Sequence, residues 1–169
     1  MRAWRSSARY ERAEMEVDVD VIDRETAQAI GNGESLFAGL DLPEDIFTDN
    51  VVFIRQVRAG ISGQLVRRAI KLLNERDLFV TLLETDSSNL HRFYKRKALG
   101  RNQSEEVLDT LRLYYQAANV FGDADVAREW MHCEVPALSG SRPVDLVDTA
   151  QGRDMIRQVL GKIEYGEFS

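Results

Sequence analysis

The sequence predicts an all-α protein: a helix-turn-helix-like helical domain followed by a second, smaller helical domain. Three observations carry that prediction. Apolar residues recur three and four apart in successive stretches from Leu65 onward. The breaks between those stretches fall at glycine, proline or a residue that can cap a helix. Nothing between 43 and 169 reads as a sheet.

The elements follow in order. Residues 1–42 read as a weakly structured extension. Val17, Val19 and Val21 alternate there with Asp18 and Asp20, the pattern of a short edge strand or of plain extended chain, and Gly31, Gly33 and Gly39 punctuate the rest. Pro43 suits the first turn of a helix over about 44–58, with Ile46, Phe47, Val51, Phe53, Ile54 and Val57, ending at Gly60. Ser62 can cap the next helix, whose stripe is Leu65, Val66, Ala69, Ile70 and Leu73, with Arg67, Arg68 and Lys71 opposite. A short helix over 77–83 and a turn over 85–88 lead to a helix over about 88–97. There Leu90, Phe93 and Tyr94 should face inward and His91, Arg92, Lys95 and Arg96 outward.

Asn102 and Glu105 have the spacing of a capping box for a long helix to Phe121, buried along Val107, Leu108, Leu111, Tyr115 and Ala118. Gly122 stops it and Asp123 caps a helix with Val126, Ala127, Trp130 and Met131 on its apolar face. Pro136 and residues 139–143 form a tight loop, and a short helix over 143–147 follows. Thr149 caps a final helix carrying Met155, Ile156, Val159, Leu160 and Ile163, closed by Gly166. The expected domains are 43–103 and 104–169.

Charge divides the chain in the same way. Residues 1–50 hold 5 basic and 12 acidic side chains, residues 51–103 hold 11 and 4, and residues 104–169 hold 6 and 12. A basic block between acidic ones suits a polyanionic partner, or else it is a solvated helix face. No apolar run reaches the roughly 20 residues needed to span a bilayer, so no membrane is expected. The lone Cys133 fits a reducing, cytoplasmic setting. Two histidines and one cysteine without ligand spacing give no metal site, and the adjacent His132 and Cys133 point apart on a helix. Neither an enzyme nor a cofactor is expected.

Residues 77–97 have the layout of a helix-turn-helix. Ser87, Ser88, Asn89 and His91 offer hydrogen bonds for base edges, and Arg92, Lys95, Arg96 and Lys97 offer charge for phosphates.

The C-terminal residues carry a more specific pattern. Phe121, Gly122 and Asp123 precede Ala127 and Trp130; then come ALSGSRP at 137–143, Asp145 and Leu146; then Thr149 with Gly152; and last Ile163, Glu164, Tyr165 and Gly166. In this order they resemble the toxin-binding domain of Xre/MbcA/ParS-type antitoxins, the partners of RES-domain toxins. The resemblance implies an all-helical, non-enzymatic antitoxin of a type II toxin–antitoxin system. Such a protein blocks a toxin that degrades NAD or transfers ADP-ribose, and it represses its own operon through an Xre-like helix-turn-helix, as a homodimer within the complex. Residues 87–97 lack the threonine and paired arginines usual in the Xre recognition helix.

The toxin contacts expected from this are Arg142, Pro143, Asp145, Gly152, Arg153, Glu164, Tyr165, Gly166, Phe168 and Ser169. Pro143 fixes the entry of a helix, Gly140 permits the turn before it, and Arg142 is displayed for bidentate pairing with a carboxylate. Tyr165 and Phe168 either anchor an interface or, for Tyr165, pack back on the last helix. The competing readings are a free-standing helix-turn-helix regulator with a C-terminal dimerisation domain, and an accessory subunit of an enzyme complex.

Overall fold

The computed structural model describes residues 37–43 and 45–166, and among them every regular element is helical. The helices are α1 (Asn50–Ala59), α2 (Gly63–Leu73), α3 (Arg76–Leu82), α4 (Leu90–Phe93), α5 (Arg101–Phe121), α6 (Ala124–Met131) and α7 (Ala150–Glu164). Two 3-10 turns, Pro136–Leu138 and Pro143–Asp145, separate α6 from α7. No described helix is long and apolar enough to cross a membrane.

Helix α5 is the axis. Its Val107, Leu108, Leu111, Leu113, Ala117 and Ala118 are fully buried, and it packs against α1, α3, α6 and α7. The expected boundary near residue 103 therefore falls inside a helix that serves both halves, whose apolar residues join one contiguous core. Most of the 1–42 extension, including the alternating valines, lies outside the described residues. Its last part does not stand apart from the core: Phe37 and Leu40 are buried, and the Phe37 ring meets Phe47 at 5.2 Å.

Several elements form for the expected reasons. Ser62 Oγ accepts from Leu65 N to cap α2, Asp123 caps α6, and Thr149 Oγ1 accepts from Gly152 N to cap α7. Gly122 ends α5 with φ 66°, a left-handed residue where glycine has no steric cost.

Others differ, each with a local cause. The helix expected over 44–58 begins only at Asn50, because the Asp49 carboxylate takes the amides of Val51 and Val52. Ile46 and Phe47 are buried from the turn before it. The capping box of Asn102 and Glu105 does not form: α5 starts after Gly100 with no side-chain cap. Ser104 Oγ instead accepts from Ile61 N, tying α5 to the α1–α2 connection. Val126 is exposed rather than on the inner face, and the helix expected over 143–147 is a single 3-10 turn.

The largest difference is α4, four residues in place of ten. Upstream, Asp86 closes the turn over residues 86–89 on itself, so the helix starts late. Downstream, Arg96 O accepts from Gly63 N and Tyr94 O from Gln64 Nε2, which draws the chain onto the first turn of α2. A side chain at Gly63 is impossible here, since a Cβ would sit 1.8 Å from Phe93 O.

Candidate functional site

The candidate site is the surface formed by the 135–148 loop and α7. The loop closes on itself: Val135 N donates to Ser141 O, and Gly140 N returns to Val135 O. Ser139 (φ 57°) and Gly140 (φ 77°) reverse the chain in consecutive left-handed conformations. Pro143, buried at the start of its 3-10 turn, then fixes the direction of exit.

Arg142 lies at that junction, half exposed, and its guanidinium grips Asp145 with both ends: Nε to Oδ2 at 2.7 Å and Nη2 to Oδ1 at 2.8 Å. The expected bidentate carboxylate is thus the chain's own. This pairing holds the Asp145 carboxyl below its usual value and raises the Arg142 pKa further. Together they present a fixed plus–minus pair to the outside.

Helix α7 is seated by two inward residues. Gly152 lies against the Leu146 carbonyl, where a Cβ would come within 1.9 Å, so glycine alone allows the helix start to nest on the loop. Arg153 is only 2% exposed, and its guanidinium donates to Glu106 (2.6 Å), Asp109 (2.6 Å) and the Val147 carbonyl (2.8 Å). Burial alone would lower its pKa, but the two carboxylates outweigh that and raise it, so the charge stays. Arg157 also reaches Asp109 and pairs with Asp154. Arg153, expected outside, therefore joins α7 to α5 and to the loop from within.

The end of α7 points the other way. Glu164 and Tyr165 are exposed, Tyr165 to 77%, so its ring does not pack back on the helix. Gly166 turns the chain with φ 66°; Phe168 and Ser169 lie outside the described residues. Of the expected contacts, Arg142, Asp145, Glu164 and Tyr165 are displayed outward, while Pro143, Gly152 and Arg153 are buried beneath them.

Residues 116–166 match the antitoxin Xre/MbcA/ParS C-terminal toxin-binding domain. The likeness is confined to α6, α7, the loop between them and the last turns of α5. The match ends at Gly166, where the exposed turn leaves α7. Among curated relatives, the chain is 26% identical over 125 residues to a protein of Sphingobium sp. (strain YBL2) named Prs ADP-ribosylating antitoxin, covering 67% of this chain and 78% of that one. It is 29% identical over 84 residues to Antitoxin Xre of Photorhabdus laumondii subsp. laumondii, covering 46% of this chain and 57% of that one. The chain is thus similar, in its C-terminal third and over longer stretches of these two relatives, to Xre-type antitoxins.

Two features had no clear signal in the sequence. Arg153 sits at an ordinary helical position, and only its partners on α5 show its role. The second is a buried polar junction: Tyr114 OH donates to Glu75 Oε1 (3.2 Å), and His132 Nε2 lies 2.6 Å from the same oxygen. Burial, then the Glu75 carboxylate, pushes the Tyr114 pKa well up, so the phenol keeps its proton and donates. His132, read from the sequence as part of a helix end, joins α6 to the start of α3 through Glu75.

The residues expected to meet DNA divide as well. Ser87, Ser88, His91, Arg92, Lys95, Arg96 and Lys97 are exposed and Asn89 is half-buried. Ser88 Oγ and Asn89 Nδ2 both donate to Asp86, the latter at 2.6 Å, and His91 Nδ1 lies 2.7 Å from Ser88 O. The Ser88 hydroxyl, then Asn89, hold the Asp86 carboxyl down at about 2.

Proposed function

We propose that the chain neutralises a RES-type toxin that consumes NAD, either degrading it or transferring its ADP-ribose, by covering the toxin's active site with the end of α7. One observation carries this: Tyr165, an aromatic ring 77% exposed, stands at the end of the matched toxin-binding domain on a helix that Arg153 anchors. Large exposed aromatics on a rigid support are the side chains that dominate interfaces. The name of the Sphingobium relative supports the ADP-ribose chemistry.

The tail Glu164-Tyr165-Gly166-Glu167-Phe168-Ser169 offers carboxylates and two rings. A dinucleotide pocket rewards those groups, with acids in place of phosphates and rings in place of bases. The Arg142–Asp145 pair and the 135–141 loop, toward the start of α7, supply the grip.

Deletion of residues 165–169 from the full chain separates grip from cover. The truncated protein is expected to co-purify with a catalytically weakened toxin yet leave NAD consumption by the active toxin running. Wild-type inhibition by the truncated protein would show that the tail has no part in it. Loss of co-purification together with inhibition would place the grip in the tail as well.

A second reading rests on the middle region: the chain also binds operator DNA and represses its own operon. The supporting observation is that Arg67, Arg68, Lys71, Arg92, Lys95, Arg96 and Lys97 are all exposed and, among the described residues, in no ion pair.

A further inference from the structure

We propose that the DNA-facing surface is the outer stripe of α2 joined to the 94–97 turn, and that it grips phosphates rather than reading bases. This rests on the reading that the chain binds DNA, relocates its contact surface, and gives that surface no operator preference of its own.

On α2, Gln64, Arg67, Arg68 and Lys71 are spaced three and four apart, which places them within about 100° of the helix circumference. All four are exposed while Leu65, Val66, Ala69 and Ile70 are buried behind them. The 94–97 turn is fixed to the same helix. Gly63 N donates to Arg96 O at 2.9 Å, Gln64 Nε2 to Tyr94 O at 2.8 Å, and the Arg67 guanidinium lies over the Tyr94 ring at 5.9 Å. Lys95, Arg96 and Lys97 thereby extend the α2 stripe into one continuous basic surface, with the Arg96 guanidinium 4.3 Å from the Phe93 ring centroid.

Turn 86–89 and the first residues of α4 do not share this character. Asp86 takes up the side-chain donors of Ser88 and Asn89 that would otherwise reach base edges. It also keeps an exposed carboxylate there, which repels phosphates. Helix α4 is one turn long, too short to lie along a groove that admits a helix. By contrast α2 shows three cations in no ion pair among the described residues, Arg67, Arg68 and Lys71, facing one way within little more than one turn. Duplex DNA carries about one negative charge per 1.7 Å of axis, which such a stripe matches. Its side chains are lysines and arginines, and the one amide, Gln64, already serves Tyr94. Contacts of this kind fix position without distinguishing sequence.

The test uses full-length protein and short labelled duplexes of unrelated sequence, titrated between about 50 and 200 mM salt. The variant Arg67→Gln/Arg68→Gln/Lys71→Gln is expected to bind at least about tenfold more weakly. Its slope of log affinity against log salt should fall by about three units, near 0.9 per lost contact. Arg67→Lys/Arg68→Lys should keep the wild-type slope, and Ser88→Ala/His91→Ala should stay within about twofold of wild type at either salt. Unrelated duplexes should differ by only a few-fold. If the Gln variant binds like wild type while the Ser88/His91 variant weakens, the surface proposed here is wrong and DNA binding stands. Equal loss in both overturns the separation from the Asp86 turn. Wild-type protein that binds no duplex at the lowest salt removes the DNA reading itself. Polyglutamate that competes as well as DNA at equal charge overturns the assignment in favour of an acidic protein partner.

Discussion

Arginine has opposite uses in the middle and the C-terminal region. Beyond residue 103, Arg128, Arg142, Arg153 and Arg157 are each ion-paired within the chain, and Arg112 donates to Phe47 O and Asn50 Oδ1. Between 51 and 103 no arginine or lysine is ion-paired among the described residues. Net charge by segment would describe the first region as acidic and the second as basic. The pairing says more: the C-terminal region uses its arginines to hold a shape, whereas in the middle region, among the described residues, only Arg76, which donates to Ser87 O, has a hydrogen-bonding role of that kind.

The sharpest way to break this contrast is Arg153→Met. It leaves Glu106 and Asp109 facing each other, 35% and 21% exposed, without the guanidinium between them. Removing one partner of a buried pair typically costs 3–5 kcal/mol; with carboxylates partly in water, about 3 kcal/mol is expected in denaturant unfolding. A loss under about 1 kcal/mol would make the network ornamental.

A pair of glycine substitutions on α7 sharpens the same point. Gly152→Ala must displace the Leu146 carbonyl and is expected to destabilise by about 1–3 kcal/mol. Gly161→Ala meets nothing within 4 Å in the same helix and should stabilise by about 0.5–1 kcal/mol. Thermal midpoints moving in the same direction for both would refute the close approach at the loop.

These positions also show what the sequence made legible. Helices α2, α6 and α7 were readable because cap and apolar stripe agree: Ser62, Asp123 and Thr149 each bond the amides their spacing suggests. Helix α4 was not, since its length is set by a backbone bond from Gly63 to Arg96, thirty-three positions apart in the chain. The capping box failed for a related reason: Ser104 is engaged by Ile61, a tertiary demand absent from the local pattern. At the site, the loop, the Arg142 display and the exposed Tyr165 followed from residue type. The inward turn of Arg153 did not, because periodicity marks apolar residues and says nothing of a cation whose anions lie on another helix.

In the middle region the expected effect on stability is smaller. Arg67→Gln/Arg68→Gln/Lys71→Gln removes no ion pair and should leave the unfolding free energy within about 0.5 kcal/mol of wild type. The free energy should even rise slightly at low salt, because like charges along one face are relieved. Loss of more than about 1 kcal/mol in urea titration would mean these cations are structural after all, erasing the contrast with Arg153.

The smallest effect is at Asp86, and it tests the comparison from the side of the carboxylates. Asp86 is held by neutral donors, Ser88 and Asn89, whereas Asp145 is held by a guanidinium. Both pKa values are lowered, Asp86 to about 2 from 3.8. A lowered folded-state value means the ionised form supports the fold, so each contribution is present above the unfolded value and is lost as pH falls through the folded one. For Asp86 that window lies between about 4 and 2, and at neutral pH nothing should change. Carboxyl-carbon NMR titrations at low and high salt are expected to leave the Asp86 midpoint in place and shift that of Asp145 upward at high salt, because only Asp145 has a charged partner to screen. The Asn89 amide should report the same low midpoint as Asp86, and Asp86→Asn should abolish its titration. An Asp86 midpoint near 3.8 would mean that the turn is not locked. Ser88 and Asn89 would then be free to meet base edges, and residues 87–91 would regain the role their side chains first suggest.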